Sequence, residues 1–221
     1  MSEFGAVVRR RRMCRSFRPD PVDPQLIDRL VDLAARSPSA GKTQGWHLVV
    51  LEGDRTDRFW RHAFPAERRD GFRWPGLFQA PVIALPFADA DAYVERYAEP
   101  DKASTGLGRG LDSWPTPYWT VDASRAVMTL LLAAEDAGLG ALLFAVFNGE
   151  QQVRAELGVP DRLQLLGAVA LGWPAASTQE SGREQQPGVS AGRARRPAAD
   201  IVHRNGWSVA QPSAPGQVDE K

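Results

Sequence analysis

Arg9-Arg10-Arg11-Arg12-Met13-Cys14-Arg15-Ser16-Phe17-Arg18, followed within thirty residues by Ser37-Pro38-Ser39-Ala40-Gly41-Lys42-Thr43-Gln44-Gly45-Trp46, is the pair of stretches that decides the fold of this chain. Guanidinium groups stay charged and present forked donors to phosphate oxygens. A loop of small residues lets backbone N–H groups and a Ser hydroxyl approach a ligand closely. Together the stretches read as a two-part cradle for a cofactor phosphate. Taken alone, the arginine run also reads as a solvated helix end or a nucleic-acid patch. The charge balance weighs against the second: 27 basic and 27 acidic residues leave a formal net charge of +0. Such a chain has no excess charge for tracking a polyanion, so no nucleic-acid partner is expected.

Working outward, 221 residues at 43% hydrophobic composition can bury a substantial core. The simplest arrangement is one α/β or α+β domain. The single Cys14 excludes an intrachain disulfide and a multi-cysteine metal site, and fits a reducing, cytoplasmic setting. His47, His62 and His203 fall in no metal-ligand spacing, so no metal is expected. Glu3 leads straight into arginines, and Glu135 and Asp136 interrupt the apolar stretch 126–147. Neither a signal peptide nor a membrane span is expected.

Helical spacing predicts a first helix over 3–13 and a second opened by Asp23-Pro24 and carried by Leu26, Ile27, Leu30, Leu33 and Ala34. Residues 46–51 and 80–87 read as strands, with a helix over 56–64 between them. The pattern degrades over 89–117, which reads as a mobile or ligand-covering loop. Asp122 is expected to cap a central helix over 123–137, ended by Gly138. A strand over 141–147, a helix over 149–157 and a strand over 163–171 complete the alternation, which argues for a sheet with helices on its faces. The domain is expected to span 1–207, with a connector at 174–192 and a disordered tail at 208–221.

From about Val8 to Trp207, the segments resemble the FMN-dependent nitroreductase family. Four anchors occur in register. These are Arg11-Arg12-Met13-Cys14-Arg15-Ser16-Phe17, Pro38-Ser39-Ala40-Gly41-Lys42-Thr43-Gln44-Gly45-Trp46, the run Leu130 to Gly140, and Arg195-Arg196-Pro197 with Val202-His203. The resemblance implies an α+β fold with a mostly antiparallel central sheet flanked by helices. It also implies an interlocked homodimer with FMN at the subunit interface. Arg11, Arg12 and Arg15 would then hold the phosphate and ribityl region, with Arg195 and Arg193 closing over the phosphate. Ser39 and Gln44 would bond the isoalloxazine edge or ribityl hydroxyls, with Pro38, Ala40 and Lys42 facing the flavin beside them. Backbone groups at Ala145 and Val146 would lie near flavin N5. The chain departs from the family pattern at Met13, where Ser is common, leaving the backbone N–H there; at Lys42, where Asn is common; and at Met128-Thr129, where Gln-Asn often stands.

The implied activity is transfer of electrons from NADH or NADPH to FMN, then to a nitroaromatic, quinone or similar acceptor, by ping-pong kinetics. In such chemistry the flavin carries the difficult step and the protein orients and tunes it. Arg15 or Lys42 is the candidate charge for stabilising reduced flavin, Lys42 reading equally as a solvated side chain. Phe72, Trp74, Trp114, Tyr118 and Trp119 could form a stacking lid over the flavin, Trp119 being the candidate for substrate stacking; core or dimer packing is the alternative for each. Two other functions compete. One is a specialised flavoenzyme of the same family that fragments flavin, dehalogenates or oxidises peptide heterocycles, and the other is a protein that binds FMN without turnover.

Overall fold

A computed structural model describes residues 4–175 and 192–207. The predicted connector, but for its ends, and the tail at 208–221 lie outside the described residues. The chain divides into two compact units, Met1–Gln185 and Gln186–Lys221.

The first unit is built on an antiparallel sheet of β1 (Trp46–Glu52), β2 (Val82–Ala88), β3 (Gly140–Phe144), β4 (Gln164–Leu165) and β5 (Ala168–Gly172). The order is β1-β2-β5-β3, with β4 paired to the end of β2. Strand β2 is buried along its whole length, and its alternating side chains feed two cores. Ile83, Leu85 and Phe87 join Phe59, Trp60 and Val153 on one face. Val82 and Ala84 join Ile27, Leu30, Val127 and Leu130 on the other. Helices α3 (Asp57–Ala63) and α6 (Glu150–Leu157) cover the first face; α2 (Pro24–Ala34) and α5 (Tyr118–Asp136) cover the second. The expected α+β architecture is therefore present.

Local chemistry explains both the agreements and the corrections. Asp23 caps α2 by accepting the Gln25 N–H at 2.9 Å, with Pro24 opening the helix as expected. Helix α1 (Phe4–Arg10) ends three residues before its predicted end, because the chain then extends along the sheet edge. The predicted strand over 141–147 stops at Phe144, the last residue paired with β5. The predicted strand over 163–171 is broken at Gly167, whose φ of 128° needs glycine and whose Cβ would lie 2.7 Å from the Phe144 carbonyl oxygen.

The largest correction concerns residues 89–117, which are not one irregular loop. Helix α4 (Ala90–Ala98) starts there, capped by Asp89, and three short 3₁₀ turns follow. Only Tyr93 of α4 is buried, so the helix carries almost no apolar periodicity to read. Helix α5 likewise begins earlier than predicted. Its first turn rests on the Pro117 carbonyl, which accepts from Thr120 and Val121 at 3.0 and 3.2 Å, so Asp122 lies inside the helix instead of capping it.

Asp89 gives the unit a measurable pH dependence. Its burial opposes ionisation, but the Arg162 ion pair at 2.6 Å, the Ala92 N–H and His47 outweigh that and hold the carboxyl below its usual range. A carboxylate lowered on folding contributes stability that is present above its unfolded pKa and lost as pH falls through the folded value. Thermal melts between pH 6 and 3 should therefore show a steeper acid loss for the native chain than for Asp89→Asn.

In the second unit, Ala198–Asp200 forms a 3₁₀ turn, the Asp200 carbonyl accepts from Arg196, and His203 stacks on Trp207 with ring centroids 4.1 Å apart. Arg193 and Arg195 belong to this unit.

Candidate cofactor site

Two clusters carry the residues singled out by the sequence. The first is a strap over 11–18 laid along the free edge of β3. Met13 bridges to Ala141 in parallel, the Cys14 N–H donates to the Ala141 carbonyl at 2.9 Å, and Phe17 bridges to Pro174. Cys14 and Phe17 both turn into the core, at 6% and 3% exposure. Burial pushes the Cys14 thiol up, which makes it a packed side chain in place of a reactive thiolate.

The three strap arginines differ in what they do. Arg12 Nη1 folds back on the carbonyls of Arg9, Arg10 and Arg11 at 2.5, 3.3 and 3.0 Å, closing the C-terminus of α1. Arg15 donates to the Met13 carbonyl at 3.2 Å and lies 5.1 Å from the centroid of Trp74. Arg11 Nη1 is buried with no hydrogen-bond partner. A buried guanidinium nitrogen without an acceptor is costly, and an anionic ligand would remove that cost. The donor set of the strap thus fits a phosphate at Arg11. Met13 presents no hydroxyl there; its side chain packs against both cores.

The second cluster is the turn over 39–44 before β1. Gly41, Lys42 and Gln44 all have positive φ, at 61°, 56° and 55°. Two non-glycine residues in the left-handed region cost of order 1 kcal/mol or more each and persist only where surrounding contacts hold them. Those contacts come from the two helices whose starts the sequence did not reveal. Asp122 on α5 is 4% exposed and accepts the Ala40 N–H at 2.8 Å, the Tyr93 hydroxyl at 3.0 Å and Arg125 at 2.8 Å. Arg96 on α4 donates to the Gly41 carbonyl at 2.9 Å while gripping Asp101 with two bonds of 2.7 and 2.8 Å. Burial, then the bond to Asp122, pushes the Tyr93 phenol well above its usual value, so it stays a donor. Thr129 on α5 holds the segment leading into the turn, at 2.8 Å from the Ser37 hydroxyl.

These tethers determine which donors the turn can offer. The Ala40 amide is committed to Asp122, and the Gln44 amide donates to Ser39 Oγ at 2.9 Å. Ser39 therefore accepts locally and keeps its own hydroxyl proton for a further partner. The Lys42 and Gln44 side chains are exposed, as is Pro38.

The clusters are distant in one chain. Arg10 of the strap region pairs with Glu135 near the end of α5, while Ala40 pairs with Asp122 near its start. That interval is about 20 Å of helix, and the buried Ala126, Val127, Leu130 and Ala134 occupy it. Ala145 and Val146 follow β3 directly, Ala145 exposed and Val146 packed on the core.

The predicted aromatic lid resolves into two separate groups. Phe72 and Trp74 pack with Phe64 and Phe78, while Trp114 packs with Tyr93, Tyr97, Tyr118 and Trp119. Trp119 is half-buried, its ring 6.4 Å from Tyr93. No metal-binding cluster occurs among the described residues, and no described helix is long and apolar enough to cross a membrane.

The profile of the Nitroreductase family matches residues 8–173. The chain is 29% identical over 192 residues to a protein named NADH dehydrogenase from Thermus thermophilus, covering 79% of this chain and 88% of that one. It is 30% identical over 178 residues to a protein named 5,6-dimethylbenzimidazole synthase from Rhodospirillum rubrum, covering 74% and 78%. A structure from Exiguobacterium sibiricum in complex with FMN superposes with a TM-score of 0.67 at 16% identity, covering 94% of this chain and 98% of that one.

Proposed function

The chain belongs to the nitroreductase family of oxidoreductases, and from that premise we propose that it uses NADH or NADPH to reduce nitroaromatic, quinone or similar electron-poor acceptors through bound FMN, in the cytoplasm and by a ping-pong cycle. The observation that carries this reading is Arg11 Nη1, buried without an acceptor on the strap where the family motif puts the flavin phosphate.

When bound, flavin supplies hydride acceptance and return. The chain's own groups then have separable tasks. Arg11 holds the phosphate, and Arg15 supplies positive charge beside it; Arg12 supports the strap by closing α1. By the family resemblance, the backbone at Ala145 and Val146 would face the flavin. Ser39 offers its hydroxyl proton, and Lys42 and Gln44 offer exposed side chains. Arg195 and Arg193 enter from their sequence motif alone.

The separation of the clusters along α5 supports a homodimer in which the turn over 39–44 of one copy meets flavin held by the strap of the other. Apolar exposure points the same way. Leu33 on α2 and Met128 on α5 are 52% and 43% exposed on the packed helix pair. A second copy covering them would remove that surface from water. Met128→Asp should convert the dimer to monomer in sedimentation at micromolar concentration and weaken flavin retention with it; a dimer that survives the charge would move the interface elsewhere.

The reading is tested by an anaerobic visible spectrum of FMN-loaded protein before and after NADH or NADPH. Bleaching of the flavin band within seconds is expected. Bound flavin that neither donor reduces would favour a protein that holds FMN without turnover. The Rhodospirillum relative's name supports a second reading, a specialised flavoenzyme, for which slow nicotinamide reduction and fast turnover of a dedicated substrate are expected.

A further inference from the structure

Phe147 is the most exposed large apolar side chain among the described residues, at 88%, and it stands on a segment anchored at both ends. Inward and outward residues alternate where the chain leaves β3: Phe144 and Val146 pack on the core, while Ala145 and Phe147 are exposed. The Phe144 ring lies nearly parallel to Trp60 with centroids 5.8 Å apart, which fixes the start of the segment. Its end is fixed at Gly149. There φ is 70° and a Cβ would lie 2.3 Å from the His62 carbonyl oxygen, so only glycine lets the backbone close on α3. The Gly149 carbonyl then accepts the Val153 N–H at 2.9 Å and opens α6. A side chain displayed between two such anchors keeps its direction, and at this exposure both faces of the ring are open.

A phenylalanine left in water forgoes the gain that burying its ring brings. Isolated apolar side chains at a surface are ordinary, but this one directly follows the backbone that would face the flavin. Its neighbours do not extend it into a broad apolar patch. Ala145 is small, Asn148 is polar and exposed, and Glu150 begins the next helix. One open ring bordered by polar groups suits a small flat ligand better than a second protein surface.

We infer that Phe147 is the surface on which the electron acceptor stacks, and that it selects planar aromatic acceptors over non-planar ones carrying the same reducible group. This rests on the proposed reading in which Ala145 and Val146 face bound FMN. The face of a phenyl ring is negative, and the face of an electron-poor ring is not, so the two attract in offset stacking. An acceptor built on tetrahedral carbon lacks that attraction.

The test uses oxidised FMN-loaded protein, which transfers no electrons to acceptors, and calorimetric titration with nitrobenzene and 2-methyl-2-nitropropane. These probes carry the same nitro group, one on a flat ring and one on a tetrahedral carbon. Nitrobenzene is expected to bind roughly fivefold tighter; the ratio should fall below about twofold in Phe147→Ala and stay at the native value in Phe147→Tyr. With photoreduced protein, the apparent Kd for nitrobenzene in the oxidative half-reaction should rise in parallel in Phe147→Ala, the limiting rate staying within about twofold. A preference missing from the native protein, or one that survives Phe147→Ala, would overturn the assignment. So would sedimentation of Phe147→Ala as a monomer beside a dimeric native protein, which would put the ring between copies. Loss of FMN in proportion to loss of nitrobenzene would overturn it too, by putting the ring on the flavin itself. Native protein that retains no FMN refutes the flavin reading and this assignment together. Failure of NADH and NADPH to bleach the flavin is read separately: it refutes the nicotinamide-linked reading, while the calorimetric ratio still decides the role of Phe147.

Discussion

Replacing Asp122 by alanine lowers the melting temperature by about 6–12 °C, at roughly 2–4 °C per kcal/mol for a chain of this size. The carboxylate is nearly inaccessible and accepts from the Ala40 amide, the Tyr93 hydroxyl and Arg125. Alanine removes all three acceptor contacts and leaves two buried donors unpaired, a loss of about 3 kcal/mol when each costs 1–3. Asp122→Asn keeps one carbonyl oxygen and should lose about half as much. The effect extends to the turn, because Gly41, Lys42 and Gln44 hold left-handed backbone only while Ala40 and Gly41 are tethered. Amide hydrogen exchange should show residues 39–45 opening in the alanine variant before the sheet does. Protection there equal to the native chain would mean that Arg96 and Thr129 suffice to hold the turn.

Arg11→Ala has the opposite profile, a large loss of cofactor with little loss of fold. A charge-assisted bond to phosphate contributes about 2–3 kcal/mol, so FMN affinity should fall roughly 30- to 150-fold. The flavin-free variant should melt no lower than the flavin-free native protein, because the substitution removes a buried nitrogen that has no partner. Arg12→Ala should do the reverse, destabilising α1 through its lost carbonyl contacts. Equilibrium dialysis against FMN and thermal melts of both apo variants separate the cases. An Arg11→Ala protein that retains flavin at native affinity would shift the phosphate to Arg15 or to the C-terminal arginines.

The helices that pack most apolar surface were legible from the sequence, and so was the cap of α2, because period and capping chemistry coincide there. Helix α4 was not legible. It buries one tyrosine, and its work is polar: Asp89 at its start, Arg96 on the turn, Tyr93 on Asp122. Asp122 itself was read for the local role its residue type favours, a cap, whereas two of its three partners are 82 and 29 residues away in sequence. The arginine motif was visible, but the division of labour within it was not. Which guanidinium turns back on its own helix depends on where α1 ends and where β3 leaves an edge, and neither is written in the motif. Phe72 and Trp74 were grouped with Trp114, Tyr118 and Trp119 in the sequence, whereas they pack with Phe64 and Phe78, because those contacts are made around turns that no periodicity marks.

The strap closes the sheet. By hydrogen-bonding to Ala141 and bridging at Met13, it covers the open side of β3, whose residues 140–142 are buried. An uncovered strand of that kind recruits other chains, and proteins guard such edges because pairing there starts aggregation. Here the guard and the proposed cofactor clamp are one segment. Any condition that strips the ligand and loosens residues 11–17 therefore shortens the shelf life of the protein as well as its activity, and stored preparations should turn cloudy sooner without flavin than with it.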